Sequence, residues 1–519
     1  MSKKTKGIIA AGHEKTAEAG IEMFRLGGNA FDAAIASMLA SFVVEPGMTS
    51  AAGGGFLLAH TADKRNLLFD FFTQTPRVKK PQNEINFYPI DVNFGGAIQT
   101  FHTGLGSIAV PGNLAGVFEV HKHLGTLPLS VIAEPAIAYA KNGVTLEKFP
   151  AFCFELLGPI FSASPEGEKI FFPEKRTPQI GETFFQRELG NTLAYLVEEG
   201  IEEFYSGSIA AQFIKDCQEN GGYLTLEDLE QYQVIIRKPL KTSYRGHSFL
   251  TNPPPSSGGT LIAFALKLLE TISLSKIEFG SSFHLELLAK VMELTNRARA
   301  DGYDARIYED NVAEKFLASS HLAIYQTSLN QSINKWGSTT HISVMDTDGN
   351  AASVTTSNGE GSCYVIPGTG ILVNNMLGEA DLNPLGFHTW PENQRISSMM
   401  SPTLILSNGK PEIVLGSGGA NRIRTAILQV ISNIIDFKMS VEEAVSAPRI
   451  HWENSLLNSE PPLFSDGIEN LTLPKATELI KWKELSLFFG GVHAVRMTPE
   501  GHLEGIGDRR REGVTKQES

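Results

Sequence analysis

Residues Ala30 to Val44 read AFDAAIASMLASFVV, a helical run that is apolar on nearly every face. Such a helix has no side to offer to water and must be covered all round by other layers of the fold. Asp32 interrupts it and Glu45-Pro46 ends it, so it is too short and too broken to span a bilayer. Its surroundings are well punctuated. A preceding helix, Glu14 to Leu26, stops at Gly27-Gly28, and Asn29 caps the apolar one. After Pro46-Gly47 and the triplet Gly53-Gly54-Gly55 come two apolar runs, Phe56 to Ala59 and Leu67 to Phe72. Asp63 and Lys64 between them predict a hairpin.

Hairpin patterning returns late in the chain. Thr339 to Asp346 and Ala351 to Ser357 flank the turn Asp348-Gly349-Asn350. Thr403 to Leu406 and Glu412 to Leu415 flank Asn408-Gly409, and Val492 to Met497 and Leu503 to Ile506 flank Glu500-Gly501. Helices are expected at Thr260 to Thr271, Ser282 to Tyr303, Asn421 to Asp436 and Val441 to Ala447. The run Pro253 to Gly259 is a packed turn that opens the first of these. Glu309 to Ser338 is polar and weakly periodic, an exposed approach to the strand that begins at Thr339. Helices before and between grouped strands predict an α+β fold of packed layers rather than alternating βαβ units.

A chain of 519 residues can bury one large core or two ordinary ones. The net charge is -13, and no block of Lys or Arg is long enough to follow a phosphate backbone, which argues against a nucleic-acid partner. The basic clusters Lys3-Lys4-Thr5-Lys6 and Arg509-Arg510-Arg511 read as solvated ends. Cys153, Cys217 and Cys363 are odd in number and fit neither a disulfide framework nor a zinc site, so they read as small buried thiols. The lysines near the start precede too short an apolar stretch for a signal peptide. A cytoplasmic protein with no membrane partner is expected.

The stretch Gly337-Ser338-Thr339-Thr340-His341-Ile342 begins a strand in Thr after a small flexible pair, which an ordinary strand start would explain. More is carried by the segments around it. TTHISVMDTDGNAASVTT is followed by GTGILVNNMLGE, SSMMSPTLIL, GSGGANRIRTAILQ and Ser446-Ala447-Pro448-Arg449. It is preceded by GGNAFDAAIA, VVEPGMTSAAGGGF and PPPSSGG. In this order, from about Gly12 to Asp508, the chain resembles the γ-glutamyltransferase family.

The resemblance implies an N-terminal-nucleophile hydrolase with a four-layer αββα sandwich. A precursor would cut itself between Ser338 and Thr339. Residues 1–338 would form a large fragment and 339–519 a small catalytic one, paired as a heterodimer within one intertwined domain. Thr339 would then be the nucleophile. A hydroxyl attacks poorly unless a base takes its proton, and the freed α-amine of the same residue is such a base. Its reference pKa of about 7.7–8.0 lies near working pH, and assistance of this kind is worth about 10²–10⁴-fold. In the uncut chain that nitrogen is an amide without basicity.

The same match assigns an oxyanion hole to the turn Gly416 to Ala420, with donors at Gly419 and Ala420, or at Gly418 and Gly419 if the register shifts by one. It assigns Glu379 to a substrate amino group, Ser357 to the nucleophile hydroxyl, and Ser397 with Ser398 to a substrate carboxylate. It implies no metal and no cofactor. Strand alternation makes His341 structural rather than part of a triad.

Several positions depart from the family pattern. Phe72 stands where an Arg that grips the α-carboxylate of glutamyl substrates is expected, although Arg77 could substitute from a shifted loop. Gly359 and Met376 replace polar residues. An ungapped count pairs the two serines with Ser398 and Met399. The segment Ala380 to Arg395 is shorter than in members that fold a lid over the site, which predicts an open cleft. Three readings are open: hydrolysis or transfer of γ-glutamyl amides such as glutathione, the same machinery acting on another acyl amide, and an uncut precursor that only binds.

Overall fold

The computed structural model describes residues 4–93, 98–274, 277–325, 339–383, 386–461, 471, 473 and 477–519. Two antiparallel sheets pack face to face. The first runs Val514–Glu518, Gly7–Ala11, Thr340–Asp346, Ala351–Ser357, Gly54–His60, Asn66–Phe71, Ile235–Arg237. The second runs Leu503–Ile506, Gly491–Met497, Lys410–Gly418, Thr403–Ser407, His247–Thr251, Leu240–Tyr244. Helices Glu14–Arg25 and Ala30–Val44 cover the outer face of the first sheet, and Gly258–Glu270 and Arg422–Ile435 cover that of the second. This is the αββα sandwich expected from the sequence.

The apolar helix Ala30–Val44 is buried along its whole length. Asp32, an interruption by sequence, completes a capping box with Asn29, and its carboxylate also accepts from the amide of Thr126 at 2.8 Å. The inner strands Gly7–Ala11, Thr340–Asp346, Ala351–Ser357 and Gly54–His60 of the first sheet are buried on both faces. Ile9, Ala11, Ile342 and Val344 point to the helices, whereas Ile8, Ala10, Met345 and Phe56 point to the other sheet. A polar seam runs between the sheets. His341 Nδ1 lies 2.8 Å from Thr355 Oγ1 and its Nε2 lies 2.9 Å from Ser343 Oγ, while Ser343 Oγ donates to the carbonyl of His493 at 3.0 Å. Ser353 Oγ reaches across to the carbonyl of Leu415 at 3.1 Å. Burial pushes the His341 imidazole well below its ordinary pKa, so it is neutral and structural.

The predicted hairpins and most helices are present with ends shifted by a residue or two. Three expectations change. The helix expected over Ser282 to Tyr303 is α-helical only to Ala298 and continues as a wider π turn, Arg299–Tyr303, in which Asp301 (ψ 21°) and Gly302 (φ 108°) leave helical geometry. Five strands of the two sheets were not anticipated: Ile235–Arg237, Leu240–Tyr244 and His247–Thr251, and also Gly7–Ala11 and Val514–Glu518, which bring both ends of the described chain into the first sheet. The C-terminal arginines are not solvated as a group. Arg509 is exposed, but Arg510 pairs with Glu460 at 2.5 Å and Asp508 at 3.2 Å, and Arg511 is buried. The three cysteines are free and buried. Ser338 and the approach from residue 326 lie outside the described residues. Among the described residues no helix is long and apolar enough to cross a membrane.

Candidate active site

Thr339 precedes the strand Thr340–Asp346, at the rim of the first sheet. Thr340 pairs with Thr356, so Thr339 and Ser357 emerge side by side from neighbouring strands. The rim of the second sheet meets them there. Gly418 closes its strand opposite Gly491 and lies so close that a methyl on it would stand 2.1 Å from the Thr339 carbonyl oxygen. Only glycine permits that approach. The chain then turns through Gly419 (φ 121°) and Ala420 (φ 47°) into helix Arg422–Ile435.

These elements line a half-open cleft with an inner volume of about 50 Å³. Its polar wall holds Thr339, Ser357, Glu379, Asp381 and Ser398, and Ala420 closes one side. Its apolar wall includes Phe72, Met376, Leu382, Met399, Met400 and Ile423. Ser357 Oγ accepts from the amide of Gly359 at 3.1 Å. The segment bearing Ser398 is braced by the proline-rich turn: the Ser257 amide and Ser256 Oγ each donate to the Ser398 carbonyl at 2.9 Å. Ser397 does not line this cleft. It faces an adjoining depression with Tyr308 and Trp390, which shares Asp381 and Leu382 with the cleft. Ser398 and Met399, the two residues named by the ungapped count, both line the cleft.

Glu379 is buried in the cleft wall. Burial raises its carboxyl above the usual range, Glu360 opposes that by hydrogen bonding, and the charge of Asp381 adds to it. Phe72 is buried and stacks on Phe56 with ring centroids 5.3 Å apart. Its carbonyl takes hydrogen bonds from Tyr232 Oη at 2.8 Å and Arg395 Nη1 at 2.5 Å, and Arg395 pairs with Asp70 at 3.3 Å. Arg77 does not line the cleft; its amide donates to Asp228 Oδ1 at 2.8 Å.

Two buried charges brace the chain at Thr339. Thr340 Oγ1 donates to Glu45 Oε2 at 2.6 Å, and Thr16 Oγ1 donates to Glu45 Oε1 at 2.7 Å. Arg511 Nη1 donates to the Thr339 carbonyl at 2.9 Å. Sequence reasoning assigned neither a role. Glu45 stood within the segment VVEPGMTSAAGGGF, and Arg511 was hidden in a basic cluster at the chain end.

The sequence profile described as Gamma-glutamyltranspeptidase matches residues 16–517. The chain belongs to the gamma-glutamyltranspeptidase family. It is 29% identical to the Acylase ACY 1 proenzyme of Pseudomonas sp. (strain SE83), over 98% of this chain and 93% of that one. It is 30% identical to the Glutathione hydrolase proenzyme of Escherichia coli (strain K12), over 97% of this chain and 90% of that one. Among solved structures, the cephalosporin acylase of Bacillus halodurans shares the fold, with a TM-score of 0.86, 24% identity, and coverage of 99% of this chain and 96% of that one. The gamma-glutamyltranspeptidase of Helicobacter pylori is similar over 62% of this chain and 91% of that chain, with a TM-score of 0.54 and 30% identity. Members of the family are enzymes, and this gamma-glutamyltranspeptidase homologue has both acylases and glutathione hydrolases among its relatives.

Proposed function

We propose that the protein is a self-cleaving amide hydrolase and acyl transferase with Thr339 as nucleophile. The observation that carries this is the meeting of Thr339, Ser357, Glu379 and Ala420 at one cleft, from three separate parts of the chain, with Gly418 packed against the Thr339 carbonyl. In the first step Thr339 Oγ attacks the Ser338 carbonyl. The Ser338–Thr339 amide becomes an ester on Oγ and the α-amine is freed. Water then hydrolyses the ester, leaving a Ser338 carboxylate and a Thr339 N-terminus. Residues 1–338 and 339–519 stay together as the two parts of the sandwich.

In turnover the α-amine takes the proton of Thr339 Oγ as the oxygen bonds to the substrate carbonyl carbon. The carbon–nitrogen bond breaks, and the proton passes to the departing amine. Water, or a second amine, then attacks the acyl-enzyme and returns the hydroxyl to Thr339. Gly418 ends the sheet ladder, so the turn amides of Gly419 and Ala420 are the better pair to meet the developing oxyanion. Losing one such donor typically costs about 2.7–4 kcal/mol in the transition state. The N-terminus of helix Arg422–Ile435 adds a positive dipole at the same place. Ser357 orients the nucleophile and Ser398 contacts the substrate. No step calls for a metal or cofactor.

Of the two substrate readings, an acyl amide without an α-carboxylate is favoured by Phe72 in the cleft wall. A γ-glutamyl amide is the second reading, supported by Glu379 as a partner for the amino group. A denaturing gel tests the nucleophile. The wild-type protein should run as two bands, the lighter beginning Thr-Thr-His-Ile, and Thr339→Ala as one. A single band for both, with undiminished amidase activity in the variant, would reject the assignment.

A further inference from the structure

The cleft offers an anionic partner to a substrate and no cationic one. Glu379 is 6% exposed and lines the cleft, and its Oε1 meets no hydrogen-bond partner. Gly359 leaves that oxygen uncovered; a methyl there would stand 2.9 Å from it. Asp381, on the same wall, lies within the electrostatic reach of the buried Arg422. Among the described residues no Lys or Arg lines the cleft. The nearby guanidiniums serve the protein. Arg395 is held by Asp70, the Phe72 carbonyl and the Gln233 carbonyl, Arg511 by the Thr339 carbonyl, and Arg299 by Asp304 at 2.7 Å. The Phe72 ring, stacked on Phe56, adds an apolar surface to the cleft wall.

A buried carboxylate with an open oxygen is costly unless a positive group meets it, and a carboxylate placed against Phe72, Met376 and Met399 would be buried without any donor. We infer that the acyl group taken by this enzyme bears a primary ammonium and no carboxylate: a 4-aminobutyryl amide, which is the γ-glutamyl skeleton without its α-carboxylate. The inference rests on Thr339 as nucleophile and adds the substrate class. The ammonium seats on Glu379 between the Gly359 backbone and Asp381, and the methylene chain lies along Met376 and Phe72. An aliphatic ammonium with a pKa near 10 keeps its charge at working pH.

The test compares kcat/KM of the self-processed wild-type enzyme on three p-nitroanilides: 4-aminobutyryl, butyryl and L-γ-glutamyl. The 4-aminobutyryl compound should exceed each of the others by roughly tenfold or more, in line with the value of a buried charge pair. In Glu379→Gln the ratio of 4-aminobutyryl to butyryl turnover should fall towards one, and in Phe72→Arg the ratio of γ-glutamyl to 4-aminobutyryl turnover should rise. The wild-type comparison stands even if a variant does not fold. Thr339-dependent turnover in which butyryl or γ-glutamyl matches the 4-aminobutyryl compound overturns this inference alone. Absence of turnover on all three, or turnover that survives Thr339→Ala, overturns the hydrolase reading and the inference with it.

Discussion

Arg511 reaches from near the C-terminus to the carbonyl of the residue on which the proposed chemistry depends. The guanidinium is buried, so its loss would take one donor from that carbonyl and deprive Glu45 of a nearby positive charge. Arg511→Ala should cost about 1–3 kcal/mol in urea unfolding and slow the appearance of the two fragments. Arg511→Lys should recover part of both. A gel time course after purification reads the second effect, and an alanine variant that cleaves at the wild-type rate would show that the contact does not position Thr339. At this scale the sequence was uneven as a guide. Thr339, Ser357, Glu379 and Ser398 were legible because they stand in motifs with a fixed order. Asp381, Glu45 and Arg511 were not, because their importance comes from neighbours far away in the chain, and nothing local to Arg509-Arg510-Arg511 says which guanidinium turns inward.

Elements were read best where they carry their own punctuation. Asn29 caps its helix, and Asn408 and Gly409, with φ of 51° and 76°, supply the left-handed turn of a two-residue hairpin. The end strands carry no such marks. Gly7–Ala11 is buried on both faces and so shows no alternation, and Val514–Glu518 is a polar edge strand. The two sheets also constrain one another in ways a single strand does not reveal. Gly416 faces the His341 ring, and a methyl there would stand 2.3 Å from His341 Cε1. Gly416→Ala should therefore destabilise the protein by about 1–3 kcal/mol through overpacking. His341→Ala should relieve much of that cost, so a double-mutant cycle should show coupling between the two positions. Additive effects would mean that the seam absorbs the methyl elsewhere.

The molecule as a whole should be acid-sensitive. Burial pushes His13, His284 and His493 from about 6.5 down to about 4. Because the folded state holds them neutral, their contribution is intact above pH 6.5 and is lost as pH falls towards 4, by up to about 3 kcal/mol each. The melting temperature should fall across that window, and His493→Gln should make the fall shallower; a flat profile from pH 7 to 4 would contradict it. The first sheet has a different consequence. Gly7–Ala11 is hydrogen-bonded between Thr340–Asp346 on one side and Val514–Glu518 on the other. Sever the backbone ahead of Thr339, and a strand from the leading piece sits riveted between two strands of the trailing one. The pieces could then separate only by tearing open their shared sheet, so the nicked protein should travel as one particle through a sizing column and come apart only in denaturant.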